Sequence, residues 1–387
     1  MHPPVFINQF KKVLPPYSGP QSDLVTWTRQ FHQAVALRSG TNSSDSIEKI
    51  EKYFSRFGIK ESLISRRYSE CNDFESTDFE KTKIYRCDDR HTAGLGIYEK
   101  GQFFLECTDR VFLEIYGSHL DDPHLSRPDH LIHVTCTGYV SPSSVQKLVA
   151  MPQWLKASQI THAYHMGCYA SLPAIRIAAG LIAANATKNP DFFVDLVHTE
   201  LCGLHMNPLD HSPEQIVVQT LFADGHMKYS ASNQAAKKIG TNLKLIQVHE
   251  KIVPNSEKDM TWTPGALGMN MTLSREVPIK IKSSLKEFTQ ELYNLAGLHA
   301  GEGLNSVFAV HPGGPKIIDA VQEVFELRDD QLMESRKILY ERGNMSSATL
   351  PHVWQQVLEN QYPVGTYVTS YAFGPGLTLF GAVFQVQ

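Results

Sequence analysis

Apolar residues recur along this chain with two periods, one helical and one strand-like. In SSDSIEKIEKYFSRF (43–57), Ile47, Ile50, Phe54 and Phe57 fall on one helical stripe, and Ser44 or Asp45 is placed to cap it. FFLECTDRVFLEI (103–115) predicts a second helix. HLIHVTCTGYVSP (130–142) predicts a buried strand through Leu131, Ile132, Val134 and Thr135, running into a loop at Gly138 and Pro142. SSVQKLVAMPQWL adds a short helix and a turn. In HMGCYASLPAIRIAAGLIAAN (165–185), Ile175, Ile177, Ala178, Leu181 and Ile182 form a broad apolar helical face. Pro173 lies near its first turn, where proline is tolerated. FFVDLVHTELC (192–202) predicts a buried strand, and EQIVVQTLFADG (214–225) a helix closing in a tight turn.

From about 226 to 245 the chain is polar and then strand-like (NLKLIQVHEKIV), and the boundary between two halves, 1–235 and 236–387, is placed there. Beyond it, IKSSLKEFTQELYNLAG (281–297) predicts a helix, and SVFAVHPGGPKIIDAVQEVF a strand, a Gly/Pro turn and a helix. QLMESRKILYERG is helical and stops at Gly343. NMSSATLPHVWQQVLEN reads as a turn and helix, and VGTYVTSYAFGPGLTLFGAVFQV as two strands around a glycine loop. Strands alternating with helices in both halves predict an α/β layered fold. CYASLPAI and SSATLPHV share one texture, small residues and then Leu-Pro before an apolar helix. That echo puts Cys168 and Asn344 near equivalent helix starts.

The 387 residues are 42% hydrophobic and 20% charged with net charge −4, a globular composition that offers no electrostatic case for binding nucleic acid or an anionic membrane. No run of about 18 apolar residues is long enough for a membrane span. The N-terminal MHPPVFINQFKKVLPPYSGP lacks the apolar core of a signal peptide, so a cytoplasmic location is expected. Cys71, Cys87, Cys107, Cys136, Cys168 and Cys202 are scattered without a C-x-x-C pair. Reduced thiols are expected, with no zinc ribbon, no other metal site and no disulfide framework.

Three residues stand out for chemistry. Cys168 follows a strand and opens a helix, whose unpaired N–H groups lower a thiol pKa and stabilise an oxyanion. Free cysteine is also commonly a small buried hydrophobe. His311 ends an apolar strand in VFAVHPGGP, where Pro312, Gly313, Gly314 and Pro315 fix a sharp turn. Such a histidine is a structural group or an active-site group on a rigid scaffold. Asn344 opens a helix, as a plain N-cap or as an amide donor aimed at a carbonyl oxygen. Gly374 and Gly376, around Pro375, supply backbone freedom to a loop or a tight core turn.

Taken in order, GCYAS, HPGGP, GNMSSA and FGPGLT resemble the type III polyketide synthases, the chalcone synthase-like condensing enzymes of the thiolase superfamily. LFADG (221–225) is similar to the family's LFGDG. The likeness runs from about Ile64 (ISRRY) to the C-terminus. It implies a five-layered αβαβα thiolase fold of two duplicated halves, a homodimer, and a Cys-His-Asn triad carried over to Cys168, His311 and Asn344. It implies acyl transfer from an acyl-CoA or acyl carrier protein to Cys168. Claisen condensation with malonyl-CoA or another malonyl or β-ketoacyl thioester then gives a polyketide or pyrone, with no metal or organic cofactor. Phe222 matches a gating phenylalanine, and Ser346 falls in the pocket.

Several positions depart from the family. Ala372 replaces the first glycine of the loop. Met271 stands where a second gating phenylalanine is usual, Leu204 and Cys136 stand near small threonines, and Ser141 near a methionine that reaches into the partner subunit. His226 follows LFADG where small apolar residues are usual. Lys52, Arg56 and Lys60 are candidates for binding the carrier, or are solvated surface charge. Because the departures crowd around the pocket, a second reading stays open, in which two carrier-bound β-ketoacyl chains are joined once and close to an α-pyrone. A cysteine hydrolase would use the same Cys-His pair. A non-catalytic thiolase-fold subunit would usually lack the cysteine.

Overall fold

The chain opens with strand β1 (Val5–Val13), a short strand β2 (Tyr17–Pro20), helices α1 (Gln21–Arg38) and α2 (Ser44–Phe57), and β3 (Arg66–Ser69). Next come α3 (Ile97–Asp121), β4 (His130–Thr135), α4 (Ser144–Val149), β5 (Gln159–Tyr164), α5 (Ser171–Asn185), β6 (Phe193–Leu201), α6 (Pro213–Leu221) and β7 (Asp224–Ser232). The C-terminal part holds β8 (Leu243–Ile252), β9 (Met260–Pro264), β10 (Met269–Leu273), α7 (Val277–Ala296), α8 (Ala300–Leu304) and β11 (Val307–Val310). It closes with α9 (Pro315–Phe325), α10 (Met333–Arg342), α11 (Thr349–Glu359), β12 (Tyr367–Gly374) and β13 (Thr378–Val386). This computed structural model describes residues 3–39, 44–238 and 240–387. The cap read at Ser44 or Asp45 lies outside the described side chains.

Nine strands share one sheet in the order β11-β12-β13-β8-β1-β7-β6-β4-β5. It is two half-sheets of one design. From the outside inward, β4-β6-β7-β1 and β11-β12-β13-β8 each run parallel, antiparallel, antiparallel. The halves meet only over Val5–Leu245, Phe6–Lys244 and Ile7–Leu243. Helices α5 and α11 lie between them: α5 packs on β4, β6, β7 and β13, and α11 on β7 and β11. Helices α3 and α4 cover one outer face, and α7 and α9 the other. The result is five layers, αβαβα, as the sequence led us to expect.

The central core explains the two helices. Ile175, Ala178 and Ile182 of α5 and Val353, Trp354 and Val357 of α11 are fully buried against both half-sheets. Each large side chain buried there contributes ~1.5–3 kcal/mol. The one polar atom of the Trp354 ring is satisfied by the Ser370 hydroxyl at 3.0 Å.

Two segments differ from the pattern reading. HMKYSAS, read as polar, belongs to β7, a central strand buried over Asp224–Ala231. Met227, Tyr229 and Ala231 face the central core. The alternating polar face is paired: His226 Nε2 lies 2.9 Å from Glu70, and Lys228 Nζ 3.0 Å from Asp195 and 2.7 Å from the Ser230 hydroxyl. His226 is thus a buried partner of Glu70, which Arg110 pairs with from the surface side. The chain start, read only for targeting signals, contains β1 and α1, whose Leu24, Trp27, Phe31 and Val35 do follow a helical stripe. No helix among the described residues is long and apolar enough to cross a membrane.

Lys228→Ala leaves Asp195 buried beside a lost charge. Because breaking a buried pair costs ~3–5 kcal/mol, denaturant unfolding of this variant is expected to show a loss of that order. A loss near zero would mean that β7 does not depend on the pair.

Candidate active site

Cys168 sits in a turn between β5 and α5, three residues before the helix begins. Its backbone setting is tight. Gly167 has φ +83°, and a Cβ there would lie 2.6 Å from Pro375 Cδ. A Cβ on Gly374 would lie 2.0 Å from the Tyr169 ring. The loop of Gly374, Pro375 and Gly376 therefore presses directly on the cysteine turn, which only glycine allows.

On the other side, α11 is preceded by a turn of 3-10 helix at Ser346–Ala348. Asn344 Oδ1 accepts the Ser346 N–H at 2.9 Å, and the Ser346 hydroxyl is 3.8 Å from Cys168 Sγ. The Asn344 amide reaches the Gly313 carbonyl at 3.5 Å. Gly313 follows His311 in the turn after β11, and the His311 N–H is held by the Tyr371 carbonyl at 2.7 Å. Contacts thus run from Cys168 through Ser346 and Asn344 to the His311 loop.

The His311 ring is buried, and neither ring nitrogen has a partner among the described residues. Each unmade hydrogen bond costs ~1–3 kcal/mol. That cost singles His311 out from the satisfied core histidines, such as His133, whose ring nitrogens meet the Thr199 hydroxyl at 2.8 Å and the Tyr164 hydroxyl at 2.7 Å. Burial pushes His311 down to about 3. Burial pushes Cys168 up to about 12, against the pull of hydrogen bonds from Ser346 and Asn344 and reinforced by Glu200. Both directions favour a neutral thiol and a neutral imidazole in the unliganded site. The helix-start argument from sequence predicted a lowered thiol pKa; here desolvation outweighs it.

Glu200, at the end of β6, ties the two sides together. Its carboxylate accepts the Cys136 N–H at 3.1 Å, the Thr137 hydroxyl at 2.8 Å and both the N–H and hydroxyl of Ser347. Pattern reading missed Glu200. The cue was an acid near the end of a strand that is buried along almost its whole length.

A cavity of about 130 Å³ opens onto Cys168. Phe222, Met271, Leu204, Cys136 and Ser346 all line it, as does Pro375. Its far end reaches Leu24, Trp27 and Thr28 of α1, along with Phe74 and Tyr85. His311 and Asn344 do not line it. Lys52, Arg56 and Lys60 are exposed, and none lines the cavity. Ser141 is exposed in the single chain. All six cysteines are free and buried, and no group of metal-ligating side chains occurs among the described residues.

Residues 244–386 match the family model for chalcone and stilbene synthases, C-terminal domain. Type III polyketide synthase C of Arabidopsis thaliana is 29% identical over 258 residues, covering 65% of this chain and 66% of that protein. Probable polyketide synthase 1 of Dictyostelium discoideum is 29% identical over 255 residues, covering 65% of this chain and 8% of that protein. The matches thus span less than two thirds of these curated relatives. Among solved structures, the C-terminal type III polyketide synthase domain of Steely1 from Dictyostelium superposes with TM-score 0.81 at 23% identity, covering 99% of both chains. PKS-I of the brown alga Ectocarpus siliculosus gives 0.79 at 20% identity, covering 100% of this chain and 98% of that one. These superpositions show a shared fold.

The neutral resting pair sets a pH test. The thiolate fraction of Cys168 rises about tenfold per pH unit below its pKa. Iodoacetamide labelling of Cys168 in the unliganded protein is therefore expected to keep accelerating from pH 7 to 9. A plateau by pH 8 would show a preformed thiolate–imidazolium pair instead.

Proposed function

We propose, from the match of residues 244–386 to the chalcone and stilbene synthase C-terminal domain and the likeness to type III polyketide synthases, that the chain is a condensing acyltransferase in which Cys168, His311 and Asn344 carry the chemistry. The observation that carries this reading is the buried, unpartnered His311 imidazole at the end of a chain of contacts leading to Cys168.

In the first step His311 takes the thiol proton as Cys168 sulfur attacks an acyl thioester. The carrier thiolate leaves and takes a proton, and the acyl group is held as a Cys168 thioester. In the second step the carbonyl of a malonyl thioester accepts hydrogen bonds from His311 and Asn344. Loss of CO₂ leaves an enolate that these donors stabilise. Its carbon attacks the Cys168-bound acyl carbonyl, the new C–C bond forms, and Cys168 leaves. Proton transfer during attack suits a pair that is neutral at rest, since neither charge is then buried before a substrate shares it.

Phe222, Met271, Leu204 and Cys136 would shape the growing chain. We take the working form to be a cytoplasmic homodimer. CoA and a carrier protein both remain donors to test, because Lys52, Arg56 and Lys60 stand away from the cavity lining.

Intact-protein mass spectrometry with acyl-CoAs and acyl carrier protein thioesters tests the first step. A stable adduct on the wild type that is missing from Cys168→Ala is expected; an adduct that persists in that variant sinks the assignment. Asn344→Ala is expected to load acyl groups yet lose condensation by ~10²-fold or more, and His311→Ala, which lacks the proton acceptor, to load slowly and lose condensation as well. Normal condensation by His311→Ala would remove it from the mechanism. Product masses identify the reaction after loading. Ketide product only with malonyl-CoA supports repeated extension. Product from two β-ketoacyl carriers without malonate supports single joining to an α-pyrone. Free acid alone means a hydrolase.

A further inference from the structure

Four of the six cysteines, Cys71, Cys136, Cys168 and Cys202, line one cavity. Two of them are neighbours across its wall. The N–H of Gly167, the residue before Cys168, donates to Cys136 Sγ at 3.0 Å. Cys168 Sγ itself lies 3.8 Å from the Ser346 hydroxyl. Among the described residues, neither thiol has a carboxylate or cation as its direct partner; the nearest charge is Glu200, whose carboxylate holds the Cys136 N–H.

We propose that Cys136 is a resolving thiol for Cys168, so that oxidation of the site by a hydroperoxide ends in a reversible Cys136–Cys168 disulfide. In the first step the Cys168 thiolate attacks one oxygen of the hydroperoxide. An S–O bond forms, the O–O bond breaks, and the other oxygen leaves with a proton as an alcohol or water. Cys168 becomes a sulfenic acid, oxidised by two electrons, and the peroxide is reduced. In the second step Cys136 sulfur attacks Cys168 sulfur. The S–S bond forms, the S–O bond breaks, and hydroxide leaves as water with the Cys136 proton. Two thiols and one hydroperoxide thus give one disulfide, one alcohol and one water.

The disulfide blocks the next rungs of oxidation, sulfinic and sulfonic acid, from which a nucleophile is not recovered by ordinary thiols. It also closes the cavity at its reactive end. Because burial keeps both thiols protonated at neutral pH, the first step speeds up as pH rises. The proposal does not depend on the condensing reaction, since it concerns the thiols alone.

The test uses the purified full chain, graded hydrogen peroxide at pH 7 and 9, alkylation of remaining thiols, and non-reducing peptide mapping. Expected is a peptide pair joined through Cys136 and Cys168, two hydrogens lighter than the free thiols, forming faster at pH 9. Dithiothreitol is expected to restore alkylation at Cys168. In Cys136→Ser, whose hydroxyl can still accept the Gly167 N–H, Cys168 is expected to pass to sulfinic acid and resist dithiothreitol. Cys136→Ala repeats the comparison should the serine variant fold poorly, and Cys202→Ser is expected to keep the cross-link. Wild-type Cys168 passing straight to sulfinic acid, pairing with Cys202, or failing to react at all would each overturn the proposal.

Discussion

The site depends on one packing constraint: two half-sheets joined over three residue pairs must be held in register by the helices between them. Val5, Phe6 and Ile7 against Leu243, Lys244 and Leu245 are too short a ladder to fix how the halves sit. Helices α5 and α11 do so by burying their apolar sides against strands of both halves. The turns that lead into these helices are thereby brought together. Cys168 precedes Leu172 by four residues, and Ser346 precedes Leu350 by four. The two occupy matching places in matching helix starts, and their side chains meet. We propose that the halves arose by duplication, with the nucleophile on one copy and its hydroxyl partner on the other.

The same burial decides the electrostatics. Glu200 is held by hydrogen bonds from Cys136, Thr137 and Ser347, so it fastens a loop of each half to the end of β6. Its charge also opposes a thiolate on Cys168. A low-dielectric site with a carboxylate near the sulfur has no stable place for a lone thiolate. Ionising Cys168 therefore requires the proton to go somewhere close; in the mechanism proposed above it goes to the unpartnered His311 imidazole. The geometry thus favours coupling of proton transfer to attack over storing charge at rest.

Much of this was legible in the sequence where side chains face one way only. The apolar strands at 130–135 and 193–201 and the helix at 171–185 follow from their patterns because each is packed on apolar neighbours. The ordered motifs around Cys168, His311 and Asn344 pointed to one site, and the fold sets these segments side by side. Strand β7 was not legible. Its Lys228 and His226 look like surface residues until Asp195 and Glu70, distant in sequence, are placed beside them. Pairing of that kind is a property of the tertiary fold. The lowered thiol pKa failed for a related reason: a helix start can be read locally, whereas the depth of burial cannot. Glu200 likewise shows its role only once loops from both halves converge on it.

The cavity explains why reaction class is easier to read than substrate. Several of its polar lining residues are already committed to the protein. Arg67 donates to Gln21 at 2.7 Å and to the Phe222 carbonyl at 2.9 Å. Asp73 accepts the N–H groups of Lys83, Ile84 and Tyr85, and Asp224 those of Glu70 and Gly203. What remains for a ligand is apolar wall, much of it methionine: Met206, Met260, Met269 and Met271. Methionine is flexible and fits several shapes. Selection along the chain must then come from volume and fit, where one methylene is worth only ~1–3 kcal/mol. At the reactive end Cys168 and Ser346 line the cavity, and on the proposed reading a substrate carbonyl would supply the partner that the buried His311 ring lacks. The tolerance of this wall follows from its choice of apolar, largely methionine, residues.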